Sequence, residues 1–513
     1  MRWDPRRGGD GVWRPCPAIV PTDVSEPTAP PQPFPGLPAE TAATRPGVFD
    51  FYRSLAAAGS DVSRRYRLAL WSELALIGLY FAIRTMGTDT TQMTVWLVAV
   101  VALAVVTPAG GLVVLAAIAP FNEGLDLTRD VGSKTAIAVA VVLSIGLRWL
   151  VSPAARMRPS APVVLACVLI VGTGLGLIRT WMRWGDSFAA LAAGTWLQGI
   201  ATMLLVFIAA VWITRHGERR PLVAALIATT IAGLISLADF SGDAAIRDSA
   251  LGWTVVGQFN PIRLTGVIRS PTSTAALVML PITVYLAAAV LAPDNRLRLA
   301  AAALSAPLLA AAYLTYNRAV FIALYALAVI IGWRIGRRLG MVLLVLGIVA
   351  GAVLVPWYVS VRGQAVGGVA QPEPGQVLIA SDQQRLGAWS AAGRMFLDEP
   401  LLGQGYRAYR QLSIQYGDQV LNAPHNEWLR LFAEHGAIVG LTGLGFSLAT
   451  AIRLARAPGW LGAGLFASFL SLCIAASFNN VFLFNQVTIP AMVMAGTGVA
   501  LSRRTTPAVA EDA

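Results

Sequence analysis

Two of the three histidines in this chain fall in one stretch, AlaProHisAsnGluTrpLeuArgLeuPheAlaGluHisGlyAlaIleValGly, residues 423–440. His425 stands between a proline and an asparagine, at the end of a long polar segment and just before an apolar run. Imidazole changes charge near neutral pH, so it is the side chain best suited to passing a proton there. Arginines supply complementary chemistry. Arg263 and Arg269 lie in AsnProIleArgLeuThrGlyValIleArgSerPro, and Arg318 closes ThrTyrAsnArg, a very short turn between two apolar runs. Arginine in or beside a membrane span is costly unless paired or solvated, and its planar fork matches phosphate oxygens. Arginines and a histidine converging on one face would suit an anionic, phosphate-bearing substrate and a proton transfer.

Each residue also has an ordinary structural reading. Arg318 can be a snorkelling anchor at a span end. Arg263 and Arg269 can be plain loop residues, and His425 a solvated residue at a helix N-terminus. His435, beside Glu434, reads as structural. His216, in ArgHisGlyGluArgArg, reads as part of a topological signal. GlyGlnGlyTyr at 403–406 has no strand–helix unit around it, so its glycines read as a turn rather than a dinucleotide cradle.

The elements that would position these groups are membrane helices. The 513 residues are 56% hydrophobic and 13% charged, with mean hydropathy +0.63. Soluble domains carry about 25% charged residues. Fourteen apolar runs approach the length needed to cross a hydrocarbon core of roughly 30 Å: 68–84, 92–107, 109–121, 134–151, 161–178, 190–214, 221–238, 272–292, 297–315, 317–335, 339–357, 432–453, 459–477 and 485–502. The second and third are short and separated only by ThrProAlaGlyGly at 107–111, so a single re-entrant feature is an alternative. The expected fold is all-α, a polytopic bundle of about 12–14 spans.

Lys and Arg outnumber Asp and Glu by 39 to 27, giving net charge +12. The distribution marks topology, not nucleic-acid binding. Clusters at Arg64–Arg67, Arg156–Arg158, Arg215–Arg220, Arg296–Arg298, Arg334–Arg338, Arg453–Arg456 and Arg503–Arg504 all fall on one side if the N-terminus is cytoplasmic. Both termini are then inside a cytoplasmic membrane, and His425, Arg263, Arg269 and Arg318 face out. Residues 1–62 read as a disordered Pro/Arg-rich cytoplasmic tail without the apolar core of a signal peptide. A first part of the bundle follows over 63–357, a large outer loop over 358–425, C-terminal helices over 426–504 and a tail over 505–513. Cys16, Cys167 and Cys473 suggest neither a disulfide nor a zinc site. No internal repeat of the kind seen in many secondary transporters is evident.

Within the outer loop an amphipathic helix is expected over Gln384–Leu397, with Leu386, Trp389, Phe396 and Leu397 on one face and Pro400 beyond its end. Such a helix can lie on the membrane surface or pack its apolar face onto the bundle.

At these residues the chain resembles the O-antigen ligase and O-antigen polymerase family. The resemblance rests on Arg263, Gly266, Pro271 and Thr272, then Thr315 and Arg318. It continues through Arg385, Trp389, ProLeuLeuGly at 400–403 and Gly405, and ends with His425, Asn426, Gly436 and Gly440. The order and membrane side agree over about 260–445. Thr272 departs from the asparagine common in the family, and the span count slightly exceeds the usual dozen.

The resemblance implies a metal-independent, inverting glycosyltransferase of GT-C-like architecture, without a cofactor. Its donor would be a glycan on undecaprenyl diphosphate, its acceptor a glycan or glycolipid hydroxyl, and its other partners membrane lipids. Arg263 and Arg318 would bind the diphosphate, and His425 would orient or deprotonate the acceptor hydroxyl. Arg385, Tyr406, Asn426 and Arg269 would line the same site, Tyr406 as a sugar-stacking face. A permease or flippase for a lipid-linked glycan is the alternative. A carrier would place its ionisable residues near mid-membrane, where Glu73 is one of few candidates. A structural scaffold would leave the long outer loop without a purpose.

Overall fold

The computed structural model describes residues 64–86, 90–121, 126–128, 131–152, 156, 158–240, 264, 266–268, 270–349, 352, 374–418 and 423–502. The tails expected over 1–62 and 505–513 lie outside the described residues, as do Arg263 and Arg269. Regular structure among the described residues is helical, apart from one short antiparallel hairpin, β1 (Asp126–Thr128) with β2 (Val131–Gly132).

The first helices are α1 (Arg64–Met86), α2 (Thr90–Val106), α3 (Pro108–Ile118), α4 (Ser133–Val151) and α5 (Ala161–Trp196). A π-helical turn, Leu197–Ala201, joins α5 to α6 (Thr202–Arg215), and α7 (Arg220–Phe240) follows. Next come α8 (Pro271–Leu291), α9 (Asn295–Leu314), α10 (Arg318–Ile335) and a helical stretch over 337–349. The polar segment contributes α11 (Pro374–Asp398) and α12 (Ala408–Leu412). Last are α13 (Glu427–Ala455), α14 (Gly459–Phe478) and α15 (Asn485–Leu501).

All fourteen apolar runs fall on helix where they are described (350–351 and 353–357 of the eleventh lie outside the described residues), yet nine segments among the described residues are long and apolar enough to cross a membrane by length and composition. Four runs fall on shorter helices, and two merge into one. Runs 92–107 and 109–121 fall on the shorter helices α2 and α3. Runs 161–178 and 190–214 merge into one 55-residue segment, Ala161–Arg215. Run 339–357 falls on the stretch 337–349, and run 485–502 on the 17 residues of α15. The 11 residues of α3 reach about 17 Å, roughly half a hydrocarbon core. That length fits the re-entrant alternative. The merged segment is itself broken at Gly185, whose φ of 76° interrupts the helix.

Local chemistry sets where several helices begin. Ser270, Asp294, Asn317 and Asn426 are N-caps whose side chains accept backbone N–H bonds from α8, α9, α10 and α13. Pro271 adds a proline at the first turn of α8, where no backbone donor is needed.

Contacts between helix ends sort the bundle into two ends. At one, Arg215 donates to Arg158 O (2.9 Å) and Arg334 to Ala455 O and Ala457 O (2.8 and 2.9 Å). Thr214 meets Thr497 there, and Arg220 pairs with the buried Glu73 at 2.7 Å. At the other, Leu264 N–H donates to Leu314 O, Trp428 Nε1 to Ser477 Oγ, and Phe482 N–H to Glu427 Oε1. The arginine clusters therefore occupy the end opposite Arg318 and the start of α13.

The polar segment is stitched into the bundle through a break in α13. Gly436 has φ 74° and ψ −175°, which opens the helix and frees backbone groups. The segment 400–405 takes them up. Gln404 N–H donates to Ala433 O (3.0 Å), Gly405 N–H to Glu434 O (2.8 Å), and Ala437 N–H to Pro400 O (2.7 Å). Backbone crosses backbone so closely that a Cβ on Gly403 would run into the main chain of Glu434–Gly436. One on Gly436 would run into that of Leu401 and Leu402.

Gly436→Ala combines a left-handed φ with this overlap, so it should cost roughly 2–5 kcal/mol. The expected outcome is loss of the monodisperse folded peak in detergent. Gly445→Ala, in the same helix with ordinary contacts, should leave that peak intact.

Candidate functional site

His425 sits at the junction of the polar segment and α13. It is half-buried and holds φ 49°, one of three non-glycine residues with positive φ among those described. The other two are Tyr316, two residues before Arg318, and Arg407, one after Tyr406. Such conformations cost of order 1–3 kcal/mol and concentrate at functional sites. All three here belong to loops carrying residues singled out from the sequence.

Helix α11 holds His425 in place. Trp389 donates its indole N–H to Pro424 O at 2.9 Å, fixing the residue before the histidine. Arg385, one turn earlier on α11, acts on the imidazole through its charge. Asp418 is buried on the other side of the balance. The Tyr409 hydroxyl lies 2.8 Å from Asp418 Oδ2 and 3.0 Å from Ala388 O, with one proton to donate to either. Burial lowers the His425 pKa below its usual 6.5, Arg385 lowers it further, and Asp418 raises it in part. These surroundings favour the neutral ring, which carries a nitrogen lone pair that can take a proton.

The apolar face expected for α11 is corrected by the structure. Leu386 and Leu397 point outward, and Trp389 and Phe396 are half-buried at the flank. The buried face is instead Ala388, Ala391, Ala392 and Met395, packed with Tyr409, Leu412 and Ala433. Small residues win this face because α11 lies close against α13 and α12.

Asn426 is the N-cap of α13, its Oδ1 accepting from Trp428 N and Leu429 N at 3.1 Å each. One turn on lies a buried charged group that the sequence reading passed over. Glu427 and Arg430 pair at 2.5 Å with almost no exposed surface, and Glu434 is buried one turn further on. Glu427 Oε1 accepts from Phe482 N–H and Glu434 Oε1 from Tyr409 N–H (3.4 Å). The spacing Glu427, Arg430, Glu434 puts all three on one stripe of an otherwise apolar helix, a visible signal of an interior pair.

Tyr406 is wholly buried beside this group, its ring 5.6 Å from that of His435. Its N–H reaches Gly176 O and its carbonyl accepts from Thr180 Oγ1. Burial pushes its phenol well above the usual range, so it stays protonated. His435 lies against Gly176, where a side chain would have no room.

Arg318 is half-buried as the first residue of α10, after Asn317 caps the helix through Ala319 N–H. Arg263 and Arg269 fall outside the described residues, but their neighbours are placed. Leu264 N–H bonds Leu314 O, and Val267 N–H bonds Ser236 Oγ at 3.1 Å. The segment thus lies against the end of α9, close in chain to Arg318. Thr272, the departure noted from the family pattern, shares a hydrogen bond with Ser270 Oγ (3.1 Å).

Among the described residues no three or more His, Cys, Asp or Glu form a metal-holding group. A small crevice of about 30 Å³ is lined by Trp428 and Phe482 together with Leu169, Met203, Phe446 and Leu472. No charged side chain lines it, so it offers nothing to an anion.

Residues 302–445 match the family model described as O-Antigen ligase. The match takes in Arg318, Arg385, Tyr406, His425 and Asn426, and it supports assignment of the chain to the O-antigen ligase and polymerase family. With its long apolar helices, the chain is similar in this region to multi-pass membrane proteins of the O-antigen ligase kind. No curated protein matches the chain.

The charges around His425 make a signed pH prediction. If the neutral ring is the reactive form, activity falls as pH drops through its depressed pKa, below 6.5. Arg385→Gln removes a depressing charge, so the acidic limb of the pH–rate profile should move up. Asp418→Asn removes the opposing charge and should move it down. Equal profiles for both variants and the wild type would assign the limb to another group.

Proposed function

We propose that the protein moves a saccharide from a polyprenyl (undecaprenyl) diphosphate carrier to an acceptor hydroxyl at the outer face of the cytoplasmic membrane. The observation that carries the reading is His425. It is a half-buried imidazole favoured in its neutral form and held by α11, at the bundle end opposite the arginine clusters. Positive charge retained on the cytoplasmic side puts that end outside.

In this mechanism His425 takes the proton of the acceptor hydroxyl as its oxygen attacks the anomeric carbon. The bond from that carbon to the diphosphate oxygen breaks, and the diphosphate leaves with the electron pair. Direct displacement inverts the anomeric centre. Arg318 and Arg263 offset the negative charge that develops on the leaving group. Arg385 and Arg269 add positive charge at the same face, and Asn426 keeps the start of α13 in register beneath the base. Tyr406, enclosed against His435, supports the loop from below rather than stacking on a sugar. No step draws on a metal.

The permease reading finds little support in Glu73. That carboxylate is tied to Arg220 at the arginine-rich end, and Arg220 also holds Glu218 at 2.9 Å. It is a neutralised structural pair.

The test is transfer from a radiolabelled undecaprenyl-diphosphate glycan by purified protein with EDTA present. The wild type should transfer, and His425→Ala should lose about 10²–10⁴-fold in rate while inserting normally. Arg318→Gln should lose about 10²–10³-fold, chiefly in kcat. Wild-type activity retained by folded His425→Ala would remove the base. No transfer by folded wild type from several such donors would favour the permease.

A further inference from the structure

The turn that crosses the broken helix has an outward side with no protein against it among the described residues. Leu397, Leu401 and Leu402 are 72%, 65% and 62% exposed. Water-facing turns seldom show three large apolar side chains in six residues. Two gauges give the height of this turn in the bundle.

The first is α13. Pro400 O accepts from Ala437 N–H, and Gly403 lies on the backbone of Glu434–Gly436. Immediately beyond, α13 begins an exposed apolar stripe of Ile438, Leu441, Leu444 and Leu448. In a helix of a length and composition to cross a membrane, that stripe is the lipid-facing side. Leu401 and Leu402 therefore sit level with its first turn.

The second gauge is α5. Its exposed stripe runs Val164, Val168, Val171, Leu175, Ile178 and Met182, with the exposed Trp181 beside its last member. Tryptophans mark the level of the lipid headgroups. Glu399 pairs with Arg179 at 2.7 Å, two residues on the hydrocarbon side of Trp181. Thr180 is bonded to Tyr406 O. Both helices thus put the turn at the inner edge of the headgroup layer.

Charge agrees with height. The two acids of the segment are both engaged, Asp398 accepting from the Tyr416 hydroxyl and Glu399 pairing with Arg179. Both acids keep some exposed surface beside the three leucines, as groups at the edge of the headgroup layer can.

We propose that the turn Leu397–Leu402 is a membrane-inserted wedge, with Leu397, Leu401 and Leu402 among the acyl chains of the leaflet on the His425 side. The occupant of this face is bulk lipid. The turn is held level with the start of the lipid-facing stripe on α13 and with the end of that on α5, so its exposed leucines adjoin two faces already assigned to lipid. The wedge ties the end of α11, and with it the Trp389–Pro424 bond, to a fixed level in the bilayer. This inference rests on the membrane reading of the helices and is independent of the proposed reaction.

The test places a nitroxide at Leu402→Cys in the full chain, with Cys16, Cys167 and Cys473 replaced by alanine, in lipid nanodiscs. Ile438→Cys is the lipid-facing reference. The expected result is preferential collision with oxygen over a water-soluble nickel chelate, in a ratio close to that at Ile438. Preferential collision with the chelate would place the turn in water and overturn the wedge. Protection from both reagents would mean a protein partner covers the face, and would overturn it equally. Leu402→Cys replaces an exposed side chain, and a folded size-exclusion profile qualifies the sample before labelling.

Discussion

A helix that gives up its own hydrogen bonds in a membrane must have them replaced by protein, because lipid offers none. The break at Gly436 is that situation, and 400–405 is the replacement. The arrangement works only with glycine at 403 and 436, where two main chains touch. From this crossing the rest of the site follows in order. It sets Tyr406 against Thr180 and Gly176, then α12 against α11, then Tyr409 against Asp418, and finally Pro424 against Trp389. His425 gets its position from a chain of contacts that begins more than ten residues further into the helix it precedes.

Buried charge is handled with the same economy. Glu427, Arg430 and Glu434 would each be prohibitive alone in an apolar bundle. Together they share one cation, and each carboxylate also holds a loop: Glu427 the segment at Phe482, Glu434 the turn at Tyr409. The cluster is a fastener between α13 and two connections on the His425 side. At the other end Glu73 and Arg220 join α1 to α7. Lys134 donates to Ala119 O and Phe121 O, where α3 ends short of a full crossing. These charges are structural joints, consistent with chemistry gathered at one end.

Much of this was legible in the chain because membrane helices announce themselves by uninterrupted apolar length. Every expected run falls on helix where its residues are described, and the counting differs where helices are too short for a full crossing or where two runs merge across the break at Gly185. Arg318 was legible as a candidate because charge beside a span is expensive, His425 because imidazole passes protons near neutral pH, and Arg385 only through the family resemblance. The face of α11 was misread for a physical reason. Amphipathicity assumes that large apolar residues point inward, yet beside a bilayer the outside is apolar too. Leu386 and Leu397 turn outward while alanines make the close contact. The crossing at Gly436 was not legible at all. Each glycine can be read as a turn in isolation, and only their meeting in space shows why neither tolerates a side chain.

The surroundings of His425 bear on how a base can be ready without being spent. Arg385 and burial favour the neutral imidazole, which keeps the lone pair available but also makes it a weaker proton acceptor. In the proposed reaction the donor brings a diphosphate, whose negative charge offsets the nearby arginines. The imidazole's proton affinity then rises when an acceptor hydroxyl must be deprotonated, and falls again once the diphosphate has left. Asp418, buried and shared with Tyr409, limits how far the affinity can drop in the empty site. A lone histidine in water would be partly protonated at the same pH and would answer to no substrate. In the proposed reaction the arginine beside it would make the base conditional on the anion that the donor brings.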